Sequence, residues 1–398
     1  MTPTVTVLMP VYNGTRYLRE AIDSILSQTY DDFEFLIIDD ASTDESASLV
    51  RSYADVRIRL VQNEVNKGQV SSQNIGLRLA RGMYIARLDQ DDSSLPTRLA
   101  RQVAVLDAEP MVAVVGSWMF ELDGADGVTA NWWQGRPVDD LAEYLFAILT
   151  NALPLYHPSV MFRREAVVQL DGYDEQLPYC EDNDLWRRLA LAGYDARVIN
   201  EPLTRYRVHE GQQSVSNADL QWNNHVFSQE RFIRAFVDKS AVPSLRLFMT
   251  CGSLLGGGFW DTCSSPGEAR ALCRRLDRML GAMRLQLQLQ PRQYRKLVRL
   301  VRCHAARVAG RAWRRDIRRQ WSASRPIYMF SLRGGIPVAS SFHTWIYPLV
   351  FVLAPIMPAL RMLKRWALRE VFVERCHSFV RARVRRFRAL RYWYSRIY

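Results

Sequence analysis

The sequence predicts an α/β protein with a largely parallel sheet, followed by a basic helical region. Over residues 5–115, short apolar segments alternate with segments of helical periodicity, and from about residue 218 the pattern changes to long helical stretches rich in Arg. Alternating strands and helices are typical of a parallel sheet, because each helix returns the chain across the sheet. We therefore predict two regions, residues 1–217 and residues 218–398.

The elements of the first region follow from local patterns. Val5–Met9 is an apolar strand that Pro10 is expected to end, and Ser42, Thr43 and Asp44 offer N-terminal caps for the second helix. Strands are predicted over residues 5–9, 33–38, 57–61, 84–88 and 112–115. Helices are predicted over residues 18–26, after residue 44, and over residues 69–81 and 181–191.

Charge is distributed unevenly along the chain. The formal net charge is +12, but residues 271–398 carry 29 Lys and Arg against 4 Asp and Glu, whereas residues 1–270 carry 24 against 37. Such asymmetry points to an anionic partner for the basic end, namely a membrane surface, a nucleic acid or an acidic polymer. A nucleic acid is disfavoured, because the N-terminal region offers no matching fold.

The six cysteines are scattered and form no CxxC pair, which disfavours a zinc ribbon and a disulfide framework. The segment Met1–Leu8 runs directly into the first strand and shows no signal-peptide pattern. Both observations favour a reducing, cytoplasmic compartment.

Acidic clusters follow two of the predicted strands. Asp39 and Asp40 end the second strand, and Asp89, Asp91 and Asp92 end the fourth. Ligands of open α/β sheets bind beyond the carboxyl ends of the strands. Three carboxylates within four residues repel one another unless a cation is present, and Mg²⁺ and Mn²⁺ prefer oxygen ligands. The alternatives are a solvated acidic turn and, for the first cluster, a helix cap.

Two further positions carry candidate chemistry. Glu181 and Asp182 open a predicted helix, where carboxylates serve either as favourable charges at the helix dipole or as a general base. His209 is either structural or a ligand for a transition metal such as Mn²⁺.

Seven segments in the same order resemble the family 2 glycosyltransferases, over roughly residues 3–217. Each segment is weak alone, and together they are specific. They are Val7–Gly14, Ile37–Asp44, Asn66–Gly68 with Asn74–Gly76, Leu88–Asp92, His157–Arg163, Glu181–Leu185 and Tyr206–His209. The resemblance implies a GT-A fold, a Rossmann-like, mostly parallel sheet with flanking helices, and an inverting transfer of sugar from a nucleotide diphosphate to an acceptor hydroxyl.

The resemblance also implies roles for individual residues. Asp182 would be the catalytic base, with Glu181 beside it, while Asp91 would bind Mn²⁺ or Mg²⁺ with Asp92 and His209. The nucleotide would contact Pro10, Val11, Tyr12, Asn13, Asp39, Asp40, Lys67, Gly68, Asn74 and Asp89. Trp186 is similar to an acceptor-side aromatic of the family, and a core position is the alternative.

The resemblance favours a UDP-sugar donor, a hexosyl transfer and a glycan or lipid-linked acceptor in cell-surface polysaccharide or glycolipid synthesis. A glycosidase also uses paired carboxylates but needs neither a nucleotide site nor a metal. The competing class is a non-catalytic membrane-associated scaffold with a degenerate transferase domain. The retained Asp91, Asp182 and His209 argue against it.

The C-terminal region combines basic and aromatic residues. Thr344–Leu360 is uncharged but short for a spanning helix, which needs about 20 apolar residues, and it contains three prolines. Arg-rich segments with aromatic residues follow it, a composition that suits an anionic membrane interface. We expect peripheral docking on the cytoplasmic face of the inner membrane. A helical bundle with a solvated basic face is the alternative.

Overall fold

The computed structural model describes residues 2–123, 128–133, 137–153, 155–209, 212, 217–250 and 265–315. Its strands are β1 (Val5–Val11), β2 (Phe33–Asp39), β3 (Ile58–Gln62), β4 (Tyr84–Arg87), β5 (Ser93–Ser94), β6 (Val112–Asp123), β7 (Val128–Trp133), β8 (Met161–Arg163) and β9 (Asp195–Val208). Thr344–Leu360 and the Arg-rich segments after it lie outside the described residues.

The helices before residue 217 are α1 (Thr15–Leu26), α2 (Ser46–Arg51), α3 (Gln69–Leu79), α4 (Arg98–Ala108), α5 (Leu141–Leu149), α6 (Arg164–Val168) and α7 (Glu181–Leu191). Those after it are α8 (Ala218–Arg234), α9 (Val242–Thr250), α10 (Pro266–Gln286) and α11 (Pro291–Arg315). Short 3₁₀ turns lie at His157–Ser159 and Lys239–Ala241.

The strands form one nine-stranded sheet in the order β3-β2-β1-β4-β8-β6-β9-β5, with β7 paired to β6. The strands β3, β2, β1 and β4 run parallel, as do β6 and β9, and β8 lies antiparallel between the two groups. Because β1, β2 and β4 are parallel neighbours, the chain segments that follow them emerge at the same edge of the sheet. The predicted fold class, including the helical region after the sheet, is confirmed.

A hydrophobic core lies between the central strands and the helices on their faces. Every residue of β1 and β2 is buried, and α1 contributes Leu18, Ala21, Ile22 and Ile25 from one face. Burial of such apolar side chains is the main favourable contribution to folding. Pro10 does not end the first strand, because β1 continues to Val11 and pairs with Asp39 of β2.

The second helix begins later than its predicted caps. It starts at Ser46, with Glu45 at the N-cap position and no capping side-chain hydrogen bond. The Asp44 carboxylate instead accepts hydrogen bonds from the backbone N–H and hydroxyl of Thr15 and from the backbone N–H of Ser46. Asp44 therefore joins the beginnings of α1 and α2.

The helices after residue 217 pack on the sheet region. Gln229 of α8 donates to the carbonyl of Leu149, and Lys296 of α11 forms ion pairs with Asp140 and Glu143 at the start of α5. The described residues all belong to one compact unit. The boundary after residue 217 stays a prediction.

Candidate active site

A cavity of about 2050 Å³ opens at the edge of the sheet where β1, β2 and β4 end and extends to the beginning of α7. It brings together all but two of the residues predicted for the site. These are Pro10, Val11, Tyr12, Asn13, Asp40, Lys67, Gly68, Asp89, Asp91, Asp92, Glu181, Asp182 and His209.

The loop after β1 is held against the loop after β4 by one amide side chain. Gln90 accepts a hydrogen bond from the backbone N–H of Tyr12 at 2.8 Å and donates to its carbonyl at 3.2 Å. A Cβ atom at Gly14 would lie 2.5 Å from the Gln90 Oε1, so a larger residue there would displace the Gln90 side chain from these hydrogen bonds. Asn13 has φ of +48°, a left-handed conformation that Asn adopts more readily than most residues.

Asp40 organises the loop that precedes α3. Its carboxylate accepts hydrogen bonds from the side chain of Asn63 at 2.7 Å and from the backbone N–H groups of Lys67 at 2.9 Å and Gly68 at 2.8 Å. Gly68 has φ of +86°, a conformation that favours glycine. The carboxylate thus fixes the two cavity-lining residues Lys67 and Gly68 as well as lining the cavity itself.

Asp39 and Asn74 do not line the cavity. Asp39 is buried and accepts hydrogen bonds from the backbone N–H of Ser42 and from the Gln62 side chain. Asn74 bonds both the N–H and the carbonyl of Tyr173. Both side chains therefore support the cavity wall from behind, and the direct nucleotide contacts predicted for them stay predictions.

Asp91 and His209 meet across the cavity wall. His209 Nε2 lies 2.8 Å from Asp91 Oδ2, and the His209 ring packs 5.4 Å from the Tyr17 ring, centroid to centroid. Burial and the neighbouring Asp89 charge raise the pKa of Asp91, while His209 opposes that shift. A divalent cation at this point would favour the ionised carboxylate.

Within the described ranges, no three His, Cys, Asp or Glu side chains meet in a metal-binding arrangement. Mg²⁺ commonly takes only one or two protein carboxylates and completes its shell with water and substrate phosphates. The Asp91–His209 pair, open to the cavity, fits a cation that a bound diphosphate helps to hold.

Asp92 differs from Asp91 in its contacts. One oxygen accepts the backbone N–H of Arg207 at 2.8 Å, and the buried Oδ2 has no hydrogen-bond partner. Burial and the charges of Asp91 and Asp89 raise the pKa of Asp92 well above its usual range. Asp92 thereby ties the end of β9, and with it His209, to the acidic loop. Its unpartnered oxygen is also compatible with a cation nearby.

Asp89 is paired with a buried cation. Arg87 Nη2 donates to Asp89 Oδ1 at 2.6 Å, and the Arg87 side chain is completely buried. The sequence places Arg87 at the end of an apolar strand, but no role in the site was predicted for it.

Helix α7 presents Glu181 and Asp182 at its first turn. Asp182 Oδ1 accepts hydrogen bonds from the backbone N–H of Asn183 at 2.6 Å and from its side chain at 3.1 Å. Burial raises the pKa of Asp182, which brings the carboxylate closer to the proton affinity that a general base needs. Tyr179, two residues before α7, has φ of +64°, a strained conformation of a kind that clusters at functional sites.

The sequence of this chain is similar to those of known proteins. The family described as "Glycosyl transferase family 2" matches residues 6–170. EpsE of Bacillus subtilis, described as a glycosyltransferase, is 34% identical over 261 residues, which cover 59% of this chain and 90% of EpsE. The chain belongs to glycosyl transferase family 2. It is accordingly a glycosyltransferase.

The chain is also similar to two proteins whose printed names include a nucleotide-sugar. WfaP of Escherichia coli, named as a UDP-Glc:alpha-D-GlcNAc-diphosphoundecaprenol beta-1,3-glucosyltransferase, is 28% identical over 53% of this chain and 80% of WfaP. The structure of S. aureus TarS residues 1–349 with UDP-GlcNAc superimposes with a TM-score of 0.52 at 19% identity, over 76% of this chain and 86% of that one. At that identity the TarS likeness concerns the fold.

Several cavity residues escaped the sequence reasoning. His157 and Tyr173 form a buried pair, with His157 Nε2 3.0 Å from the Tyr173 hydroxyl, and His157 Nδ1 lies 4.0 Å from Glu181 Oε1. Gln221 and His225 reach the cavity from α8, beyond the matched family segment. His157 stood within a recognised segment, whereas no local pattern distinguishes Gln221 or His225 from other residues of an amphipathic helix.

Trp186 belongs to the core. Its side chain is fully buried, and its ring packs 6.2 Å from that of Phe162 and 6.4 Å from that of His157, centroid to centroid. It does not line the cavity. Of the two interpretations of Trp186, the structure supports the core position.

Proposed function

We propose that this family 2 enzyme transfers a hexosyl group from a nucleoside diphosphate sugar, with a UDP-sugar favoured, to an acceptor hydroxyl with inversion at the anomeric carbon. The observation that carries the proposal is the layout of the cavity. The cavity is lined by the loop after β1 and the loop bound by Asp40, by the Asp91–His209 pair, and by Asp182 at the first turn of α7. These three groups of residues correspond to the needs of a nucleotide, its diphosphate and an acceptor.

In this proposal Asp182 takes the proton from the acceptor hydroxyl while that oxygen forms a bond to the anomeric carbon. The bond between the anomeric carbon and the diphosphate oxygen breaks, and its electron pair leaves with the diphosphate. Asp91 and His209, with Asp92 behind them, would hold Mn²⁺ or Mg²⁺, which supplies neutralisation of the charge on the leaving diphosphate. Holding the donor and the acceptor close together in the reactive orientation contributes much of the remaining rate acceleration.

The acceptor and the location are part of the same proposal. WfaP acts on a diphosphoundecaprenol-linked sugar by its name, and we infer a glycan or lipid-linked acceptor of cell-surface polysaccharide or glycolipid synthesis for this chain as well. Within the described ranges, no helix is both long and apolar enough to cross a membrane. We infer peripheral docking on the anionic cytoplasmic face of the membrane, which is supported by the net charge of residues 271–398.

A thermal-shift screen with UDP, GDP, dTDP and CMP, each with and without Mn²⁺, tests the proposal. A nucleotide that binds the native state at 100 times its Kd stabilises the fold by about 2.7 kcal/mol. We expect UDP to raise the melting temperature only with Mn²⁺, and Asp91→Ala to abolish that rise. Asp277→Ala, on the exposed face of α10, serves as the matched control.

Turnover separates binding from chemistry in the same protein. Asp182→Asn should keep the Mn²⁺-dependent shift and lose roughly 10²- to 10⁴-fold in turnover, the usual contribution of a general base. Unchanged turnover in Asp182→Asn would remove the base assignment. A wild-type protein that no nucleotide stabilises would favour the non-catalytic scaffold.

A further inference from the structure

The first turn of α7 carries two carboxyl groups of consecutive residues in the wall of the cavity. Glu181 is 5% exposed, and both Glu181 and Asp182 line the cavity. Two adjacent carboxylates in a site of low polarity do not both ionise readily, because their charges repel and burial disfavours each charge. One proton is therefore expected to remain on the pair.

Hydrogen bonding decides which carboxyl keeps that proton. Asp182 accepts two N–H bonds from Asn183, and donors of this kind stabilise the ionised form. The buried Glu181 Oε2 has no hydrogen-bond partner, although it lies in the cavity wall. An ionised oxygen in that position would be costly, whereas a protonated carboxyl carries an O–H that a turn of the side chain, which is 7% exposed, would present to a ligand in the cavity.

The other groups near Glu181 are consistent with a protonated Glu181 and an ionised Asp182. The buried Arg87 charge favours the ionised form of Glu181, but its guanidinium is bonded to Asp89. His157, whose Nδ1 lies 4.0 Å from Glu181 Oε1, is kept neutral, because burial and the Arg87 charge lower its pKa well below the usual range. Burial and the Asp182 charge raise the pKa of Glu181 to about 8.

We propose that Glu181 works as a neutral carboxylic acid that donates a hydrogen bond to a hydroxyl oxygen of the transferred sugar, while the neighbouring Asp182 works as the ionised base. The His157–Tyr173 pair is the positioning group that backs Glu181 with an uncharged surface. This inference rests on the proposed function, because it assumes a sugar between the diphosphate and the acceptor.

The test compares Glu181→Gln with Glu181→Ala. A glutamine amide donates a hydrogen bond at every pH, so Glu181→Gln should lose less than about tenfold in kcat/KM at pH 7, whereas Glu181→Ala should lose more than tenfold. The Mn²⁺-dependent shift with UDP, which lacks the sugar, should be the same in both variants as in the wild type.

The pH profile provides a readout that a purely structural role would not change. The proposed donor is present below the pKa of Glu181 and is lost as the pH rises through it. Wild-type kcat/KM should therefore fall about tenfold between pH 7 and pH 9, and Glu181→Gln should lack this fall. The comparison of the wild type with Glu181→Gln tests the neutral-donor role even if Glu181→Ala does not fold.

The possible outcomes separate the two proposals. If Glu181→Gln loses as much activity as Glu181→Ala, or keeps the wild-type fall above pH 7, the neutral-donor role is wrong while the transferase proposal stands. If the wild-type protein neither binds UDP with Mn²⁺ nor turns over a UDP-sugar, the proposed function itself fails.

Discussion

At the scale of single residues, the site depends on buried carboxylates whose positions look alike in the sequence and whose contacts differ. Asp40 is the clearest example. It is buried, and three N–H donors from Asn63, Lys67 and Gly68 converge on it. A carboxylate is well suited to this position because it offers only acceptors. The shape of the loop that lines the cavity thus depends on one side chain behind it.

Replacement of Asp40 by Ala should therefore reduce both stability and nucleotide binding. Leaving buried donors unsatisfied should lower the free energy of unfolding by about 2–3 kcal/mol, measured by urea denaturation. The Mn²⁺-dependent UDP affinity should weaken as well, since Lys67 and Gly68 lose their anchor. Asp31→Ala is the control, because its side chain is 90% exposed, and should change stability by less than about 0.5 kcal/mol. Equal stability and equal UDP affinity in the two variants would contradict this account.

Residue types at strand ends predicted the two acidic clusters, and the resemblance to the family implied the other cavity residues. Neither indicated that the contacts of Asp91 and Asp92 differ, or that Asn74 bonds Tyr173. The partners that separate them lie far away in the chain, namely His209 for Asp91, the Arg207 N–H for Asp92 and Tyr173 for Asn74. Side-chain direction at a loop depends on such long-range contacts, and one sequence does not state them.

At the scale of elements, α7 and α8 are joined by a buried polar network. Asp184 of α7 accepts hydrogen bonds from Ser228 of α8 at 2.7 Å and from Arg188 at 2.8 Å, and also pairs with Arg231. Arg187 of α7 donates to Ser228 at 3.1 Å. Because α8 also carries Gln221 and His225 into the cavity, this network holds the far wall of the site against the helix that bears Asp182.

The Asp184→Ala variant should consequently be destabilised. Removal of one partner from a buried ionic network leaves the others uncompensated, so we expect the free energy of unfolding to fall by about 3 kcal/mol. Arg234→Ala removes an exposed pair with Glu230 on the same helix and should cost less than about 1 kcal/mol. Chemical denaturation of both variants tests the difference, and similar losses would show that Asp184 does not hold the two helices together.

Element prediction was accurate where the pattern was local and incomplete where pairing was not. Helix α7 has the predicted bounds, because its apolar side and the following Gly193, with φ of +84°, are local signals. Strand β6 was predicted to end at Val115 but continues to Asp123. Its second half pairs with β9 and β7, so its extended form depends on strands that are distant in sequence.

At the scale of the whole molecule, an acidic catalytic region is joined to a strongly basic helical end. The described part of that end already presents exposed arginines in a regular row, since Arg270, Arg274 and Arg278 are each four residues apart on α10 and exposed. Residues four apart lie on one face of a helix. Such a row suits an anionic surface of the kind inferred for the membrane.

Full-length protein should therefore sediment with vesicles that contain phosphatidylglycerol and not with phosphatidylcholine vesicles, and added salt should weaken the binding. A basic residue near such a surface contributes about 1 kcal/mol, so changing Arg270, Arg274 and Arg278 together to Gln should weaken binding by up to about a hundredfold.

The control for this variant changes Arg19, Arg51 and Arg78 to Gln, because these arginines are exposed on the sheet region and their replacement removes the same amount of charge. Equal weakening by the two triple variants would attribute binding to net charge alone, and no binding by the wild type would remove the membrane proposal. Because the transfer chemistry needs none of these arginines, both triple variants should retain turnover with a water-soluble acceptor, which separates docking from catalysis.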